Sequence, residues 1–209
     1  MKIYFLRHEN RYMITSFFTP LTEKGKQNSV KLINTLKTLD ITTIYSSPLL
    51  RTLQTIEPFV KNLKKKINLE NSIREINNIN ILTKKESIFD LPKEFFKKFN
   101  INSSYKSFLK SEEIIYPEEI SNLKRRFNNF LKYLIKKYHK TNENILIVSH
   151  AGIIEGFIRK LEKKKEFNLL QKIKPYNYPL GKITQIVNKN KLVFQPINWI
   201  LKKIDINYN

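Results

Sequence analysis

The chain contains no cysteine. That excludes disulfides, thiolate nucleophiles and cysteine-based zinc sites together. Histidine is scarce as well: His8, His139 and His150 are all there is, a poor supply for a zinc site of the usual kind. Any hydrolytic chemistry must therefore rest on histidine, serine, threonine or carboxylates. Long apolar runs are missing too. The first, Ile3 to Leu6, is followed at once by charges and is too short for the hydrophobic region of a signal peptide. No later run approaches the ~20 residues of a membrane helix, so the expectation is a soluble, cytoplasmic protein with no membrane partner. Glycine occurs only four times, and 18 acidic residues face 39 basic ones, a net charge of +21. Such a balance suits nucleic acid or anionic ligands. An A/T-rich genome gives the same bias toward Lys, Asn and Ile with no functional demand behind it. The runs KNLKKK (61–66) and RKLEKKKE (159–166) fall where helices expose a solvated face.

What the chain does have is the make-up of a folded domain. Hydrophobic residues at 41% and charged residues at 27% fit a globular protein rather than a disordered one. The 209 residues suffice for one well-buried domain. Apolar periodicity alternates between strand and helix. Lys2 to Leu6 form a first strand, and Thr22 caps a helix running to Leu39, with Val30, Ile33, Leu36 and Leu39 on its apolar face. TIYSS (43–47) is a second strand, and a helix starts near Pro48. Pro58 is expected to kink or restart that helix.

Residues 76–117 lack a clean period and are expected to form a helical cap or insertion. Glu118 to Tyr138 carry a strong helical stripe. NILIVSH (144–150) reads as a central strand buried on both faces, followed by a helix over Ala151 to Lys163. KITQIV-NKN-KLVFQPI (182–197) predicts a terminal hairpin. The class is therefore α/β: a three-layer sandwich with a mostly parallel central sheet, helices on both faces and a small helical cap insertion, in one domain. In such sheets ligands bind beyond the carboxyl ends of the strands. Arg7 with His8, Ser46 with Ser47, and Ser149 with His150 all stand at such ends.

Four pieces occur in order: LRHEN (6–10), LTEKGKQ (21–27), SSPLLRTLQT (46–55) and VSHAGII (148–154). Together they resemble the histidine phosphatase superfamily, which includes the cofactor-dependent phosphoglycerate mutases. The resemblance implies a phosphomonoester hydrolase of the histidine acid-type, with no cofactor and no metal. His8 would be the nucleophile, forming a phosphohistidine. Arg7 and Arg51 would grip phosphoryl oxygens, and His150, before a helix whose first amides can face an anion, would add charge stabilisation. Asn10 and Arg11 would add phosphate contacts or form a solvent-facing loop. Glu75, in SIREINN (72–78), stands where many relatives carry the acid that protonates the leaving oxygen. The glycine and acidic residues that commonly follow it are missing from INNINIL (76–82), so Glu70 and Asp90 stand as substitutes. His139, at a helix end, suits the negative end of the helix dipole and has no expected catalytic role.

Three other readings stand beside hydrolysis. A mutase would carry a longer tryptophan-bearing segment between the first two motifs, whereas ENRYMITSFFTP (9–20) has none and the sole tryptophan is Trp199. An inactive phosphate-binding relative is suggested by Glu9 and Ala151 in place of glycines. Nucleic acid is the weakest partner, supported by charge alone. The expected substrate is a phosphorylated small molecule or a phosphoprotein.

Overall fold

The computed structural model describes residues 1–14, 16–77, 83–84 and 91–154, together with the backbone of 183–188 and 199–204. β1 (Lys2–Arg7), β2 (Thr43–Ser46), β3 (Ile67–Leu69), β4 (Asn144–Ser149), β5 (Ile183–Asn188) and β6 (Trp199–Ile204) form one sheet in the order β3-β2-β4-β1-β5-β6. The pairs β1–β4, β2–β4 and β2–β3 are parallel, while β5 runs antiparallel to β1 and to β6. The sheet is mostly parallel and the fold is α/β.

Strand alternation sends side chains to two cores. Tyr4, Leu6, Ile44, Leu146 and Val148 face α1 (Glu23–Lys37) and α2 (Leu50–Asn62). Ile3, Phe5, Tyr45, Ile145 and Ile147 face the other side, where Leu123, Phe127, Phe130 and Leu134 of a long helix cover them. That helix, Ile120–Tyr138, is α4; the short α3 (Lys93–Lys98) precedes it. Residues 151–154 are helical, and Ile153 and Ile154 join the second core. No helix among the described residues is long and apolar enough to cross a membrane.

Several expectations shift. Val30 is exposed; α1 instead buries Gly25, Ser29, Leu32 and Leu36. The reason is Gly25, where a Cβ would stand 2.1 Å from the Asn10 carbonyl oxygen, so the turn carrying glycine faces inward. Pro58 lies inside α2 without restarting it, because Ile56, Phe59 and Val60 are buried on either side of it. The strand pairing with β5 is Trp199–Ile204, later in the chain than the expected hairpin arm; residues 189–198 lie outside the described residues.

Of segment 76–117, residues 78–82 and 85–90 are also outside them. The part after Leu91 packs onto the body: Phe99 and Ile101 enter the first core, and Ile101 bridges Ile67.

Candidate active site

The parallel register aligns the tips of three strands. Arg7 pairs with Ser149 and Ser46 with Val148. The ladder runs one residue further on each side, as His8 N–H donates to Ser149 O at 3.0 Å and Ser47 N–H to Val148 O at 3.0 Å. His8, Ser47 and His150 thus meet at the carboxyl edge of the sheet. The two imidazole rings lie 5.3 Å apart, tilted by 58°, and both are buried.

Backbone chemistry fixes which nitrogen of His8 is free. Its Nδ1 lies 2.8 Å from the Glu9 carbonyl oxygen. A carbonyl can only accept, so Nδ1 carries the hydrogen and Nε2 keeps its lone pair. Glu9 is itself anchored: its N–H donates to Thr55 Oγ1 at 2.9 Å, and Asn28 Nδ2 donates to its carboxylate at 3.3 Å. Burial first, then the nearby Arg51, holds the His8 pKa well below its ordinary 6.5. His150 is lowered for the same two leading reasons, with His8 next. Both rings are therefore neutral near pH 7, as a nitrogen nucleophile requires.

Arg51 sits in the first turn of α2 and is 2% exposed. A cation there opposes the helix dipole and is costly to bury. Burial lowers its pKa to about 10, against the opposing pull of Glu75; it stays charged. Its Nη1 donates to Ser16 O at 3.4 Å, Nη2 is 4.0 Å from Glu75 Oε2, and Nε has no hydrogen-bond partner among the described residues. Such a guanidinium has donor capacity to spare. Arg7, half-buried at the end of β1, is likewise lowered by burial first and raised by Glu75.

Glu75 joins this group from the chain after β3. Its Oε2 is 3.4 Å from His150 Nδ1, within ion-pair range but outside hydrogen-bond geometry, and its side chain is 19% exposed. The structure thus brings Arg7, His8, Arg51, Glu75 and His150 together. Arg11 lies close enough for its charge to lower His8 and Arg51, but its Nη1 is spent on the carbonyls of Tyr12 and Ile14. Asn10 turns toward α1, where its Oδ1 accepts from Thr22 Oγ1 at 3.0 Å. These bonds tie both residues into the loop after the strand. Glu70 is fully buried and committed elsewhere, accepting from Ser72 N, Tyr105 OH and Phe108 N at 2.8, 2.6 and 2.8 Å. Asp90 lies outside the described residues. His139 caps the end of α4, its Nδ1 3.0 Å from Lys136 O.

Sequence reasoning underrated Ser47. Its Oγ is 2.9 Å from His150 Nε2, so the Ser-Ser-Pro turn orients the second ring as well as the helix. Arg74, almost fully buried with its guanidinium carbon 5.4 Å from the Phe17 ring centre, was also not foreseen; its place directly before Glu75 was the available signal. No group of three or more histidine, aspartate or glutamate side chains among the described residues is arranged to hold a metal ion.

Comparison with known proteins agrees with this fold. No curated protein sequence matches the chain. Solved structures do. An ecdysone phosphate phosphatase from Bombix mori, in complex with tungstate, superposes with a TM-score of 0.69 at 16% identity, over 96% of this chain and 91% of its own. A mycobacterial glucosyl-3-phosphoglycerate phosphatase gives 0.61 at 18%, over 96% and 95%. A mutant phosphoserine phosphatase from Entamoeba histolytica, in complex with phosphoserine, gives 0.59 at 21%, over 96% and 94%. At these identities the likeness establishes the fold. The family model of the histidine phosphatase superfamily (branch 1) matches residues 6–194, and the chain belongs to that superfamily.

Proposed function

We propose that this protein is a metal-independent phosphomonoester hydrolase that works through a phosphohistidine at His8. The observation that carries the reading is a neutral, buried imidazole with its Nε2 lone pair free, beside the buried cation Arg51. In the first step Nε2 attacks phosphorus and the ester P–O bond breaks, its electron pair leaving on the alcohol oxygen. Glu75 gives that oxygen a proton. The imidazolium so formed keeps its Nδ1 hydrogen on the Glu9 carbonyl, which favours the charged ring. In the second step the Glu75 carboxylate takes a proton from water, the water oxygen bonds to phosphorus, and the N–P bond returns its pair to Nε2. Arg7, Arg51 and His150 hold the phosphoryl oxygens throughout, so the work is positioning and charge stabilisation. Because His8 stays neutral below its ordinary pKa, the acid-type activity expected from the sequence has a physical basis.

The short, tryptophan-free link between the first two motifs favours hydrolysis over phosphoryl exchange. The relatives, by their names, act on phosphorylated small molecules, and we assign this chain the same substrate class, with a cytoplasmic place of action. Residues 76–117 are proposed as the segment that selects the substrate. The test is a single turnover with excess enzyme and a labelled aryl phosphate, quenched in base because the N–P bond is acid-labile, followed by peptide mass spectrometry. Phosphate on His8 is expected. Phosphate on another residue, or none with full product release, would remove the covalent reading.

A further inference from the structure

Glu75 reaches the site from a stretch with little regular structure: a 3₁₀ turn over Asn71–Ile73, then irregular backbone as far as Asn77. Four of its carbonyls are met instead by one buried ion pair. Arg126 of α4 donates through Nη1 to Ser72 O at 2.7 Å and Asn71 O at 3.3 Å. Through Nη2 it donates to Arg74 O at 2.8 Å and Glu75 O at 3.1 Å. Glu118 holds that guanidinium in place, with Oε1 2.7 Å from Nε and Oε2 3.0 Å from Nη2. Glu118 also grips the far end of the stretch. Its Oε2 accepts from Asn77 N at 3.1 Å, and its own N–H donates to Asn77 O at 2.7 Å. The side chains are 8% and 3% exposed. Ser149 Oγ, next to His150, ties in Ile73 O at 2.8 Å.

We infer that the Arg126–Glu118 pair is the positioning device for the acid Glu75. The inference rests on the assignment of Glu75 as the acid in the proposed reaction. A planar guanidinium with five donors can reach four carbonyls and a carboxylate at once; a lysine ammonium at the same place cannot. The pair fixes the main chain on both sides of Glu75, and so fixes where its carboxyl group meets the leaving oxygen. Arg126 and Glu118 are positioning residues: neither touches the reacting atoms.

A strut that merely stabilises the fold would affect all substrates alike. In the first step, a device that aims the acid matters only when the leaving group needs a proton. The experiment compares kcat/KM, which reports the first step and not the later hydrolysis of the phosphohistidine, on glycerol phosphate, a poor leaving group, and on dinitrophenyl phosphate, which departs without protonation. For Arg126→Lys we expect about 10- to 100-fold loss on glycerol phosphate, since a misplaced group costs on that order, and no more than about 3-fold on the aryl ester, which makes little use of general acid. If Arg126→Lys does not fold, Glu118→Gln carries the comparison, with the same selective loss expected. Equal loss on both esters overturns the inference. Glu75→Gln is measured alongside. If it discriminates between the esters and the pair variants do not, the pair is only a strut and the acid assignment stands. If Glu75→Gln treats both esters alike, the acid assignment itself fails and takes this inference with it.

Discussion

Arg51 and Arg126 are both arginines sunk into the protein, and their surroundings differ. At Arg126 every arm meets a carboxylate or a main-chain carbonyl at 2.7–3.3 Å. At Arg51 the Glu75 carboxylate stands 4.0 Å off, the one carbonyl bond is 3.4 Å long, and Nε has no partner among the described residues. Nearby, two imidazoles are kept neutral by burial and by that same cation. A buried charge that is fully satisfied belongs to the scaffold. One held near like charges and a helix N-terminus, with capacity to spare, is what the proposed phosphate site calls for.

If that contrast is right, the two regions respond to mutation in opposite ways. The largest stability effect is expected from Glu118→Ala, which leaves Arg126 buried and uncompensated and costs about 3–5 kcal/mol, read by urea denaturation. Arg51→Met should reverse the pattern: kcat/KM falls by about 10²- to 10³-fold, as for loss of one transition-state donor, while the melting temperature holds or rises. A clear drop in stability with Arg51→Met would erase the distinction.

Gly25→Ala tests the seam between scaffold and site, because the new Cβ would collide with the Asn10 carbonyl two residues beyond His8. A cost of about 1–3 kcal/mol is expected, as for other overpacked sites.

The smallest effect is on pH. The folded pKa values of His8 and His150 lie below their ordinary value, so the unfolded chain binds more protons in that window. Their contribution is therefore fully present above about pH 6.5 and declines as pH falls from there toward the folded values. A thermal melt series across that window should show the decline, and inorganic phosphate, by favouring the protonated rings, should lessen it. A stability that rises on acidification would contradict the neutral-ring description.

Much of this contrast was visible in the sequence, though unevenly. Arg7, His8, Arg51 and His150 stand at strand ends or just past a Ser-Ser-Pro turn, where local chemistry and order along the chain point the same way. Glu75 came only through the family resemblance, since nothing local marks an irregular segment as part of a site. Arg126 was hidden in KRR (124–126), which reads as a solvated run. Only the helix phase set by Leu123, Phe127 and Phe130 turns it inward while Arg125 stays out. Val30 misled for a related reason: apolar spacing fits more than one phase, and a single close approach at Gly25 chose another. The partner of β5 was misplaced because alternation also occurs in KLVFQPI (191–197), and pairing is decided by the sheet rather than by the strand alone.

The most direct test is hydrolysis of p-nitrophenyl phosphate in excess chelator by the wild type and by His8→Ala. The account predicts activity that is indifferent to the chelator and absent from the variant, with both proteins equally folded. Activity that survives in His8→Ala, or that the chelator abolishes in the wild type, would contradict it.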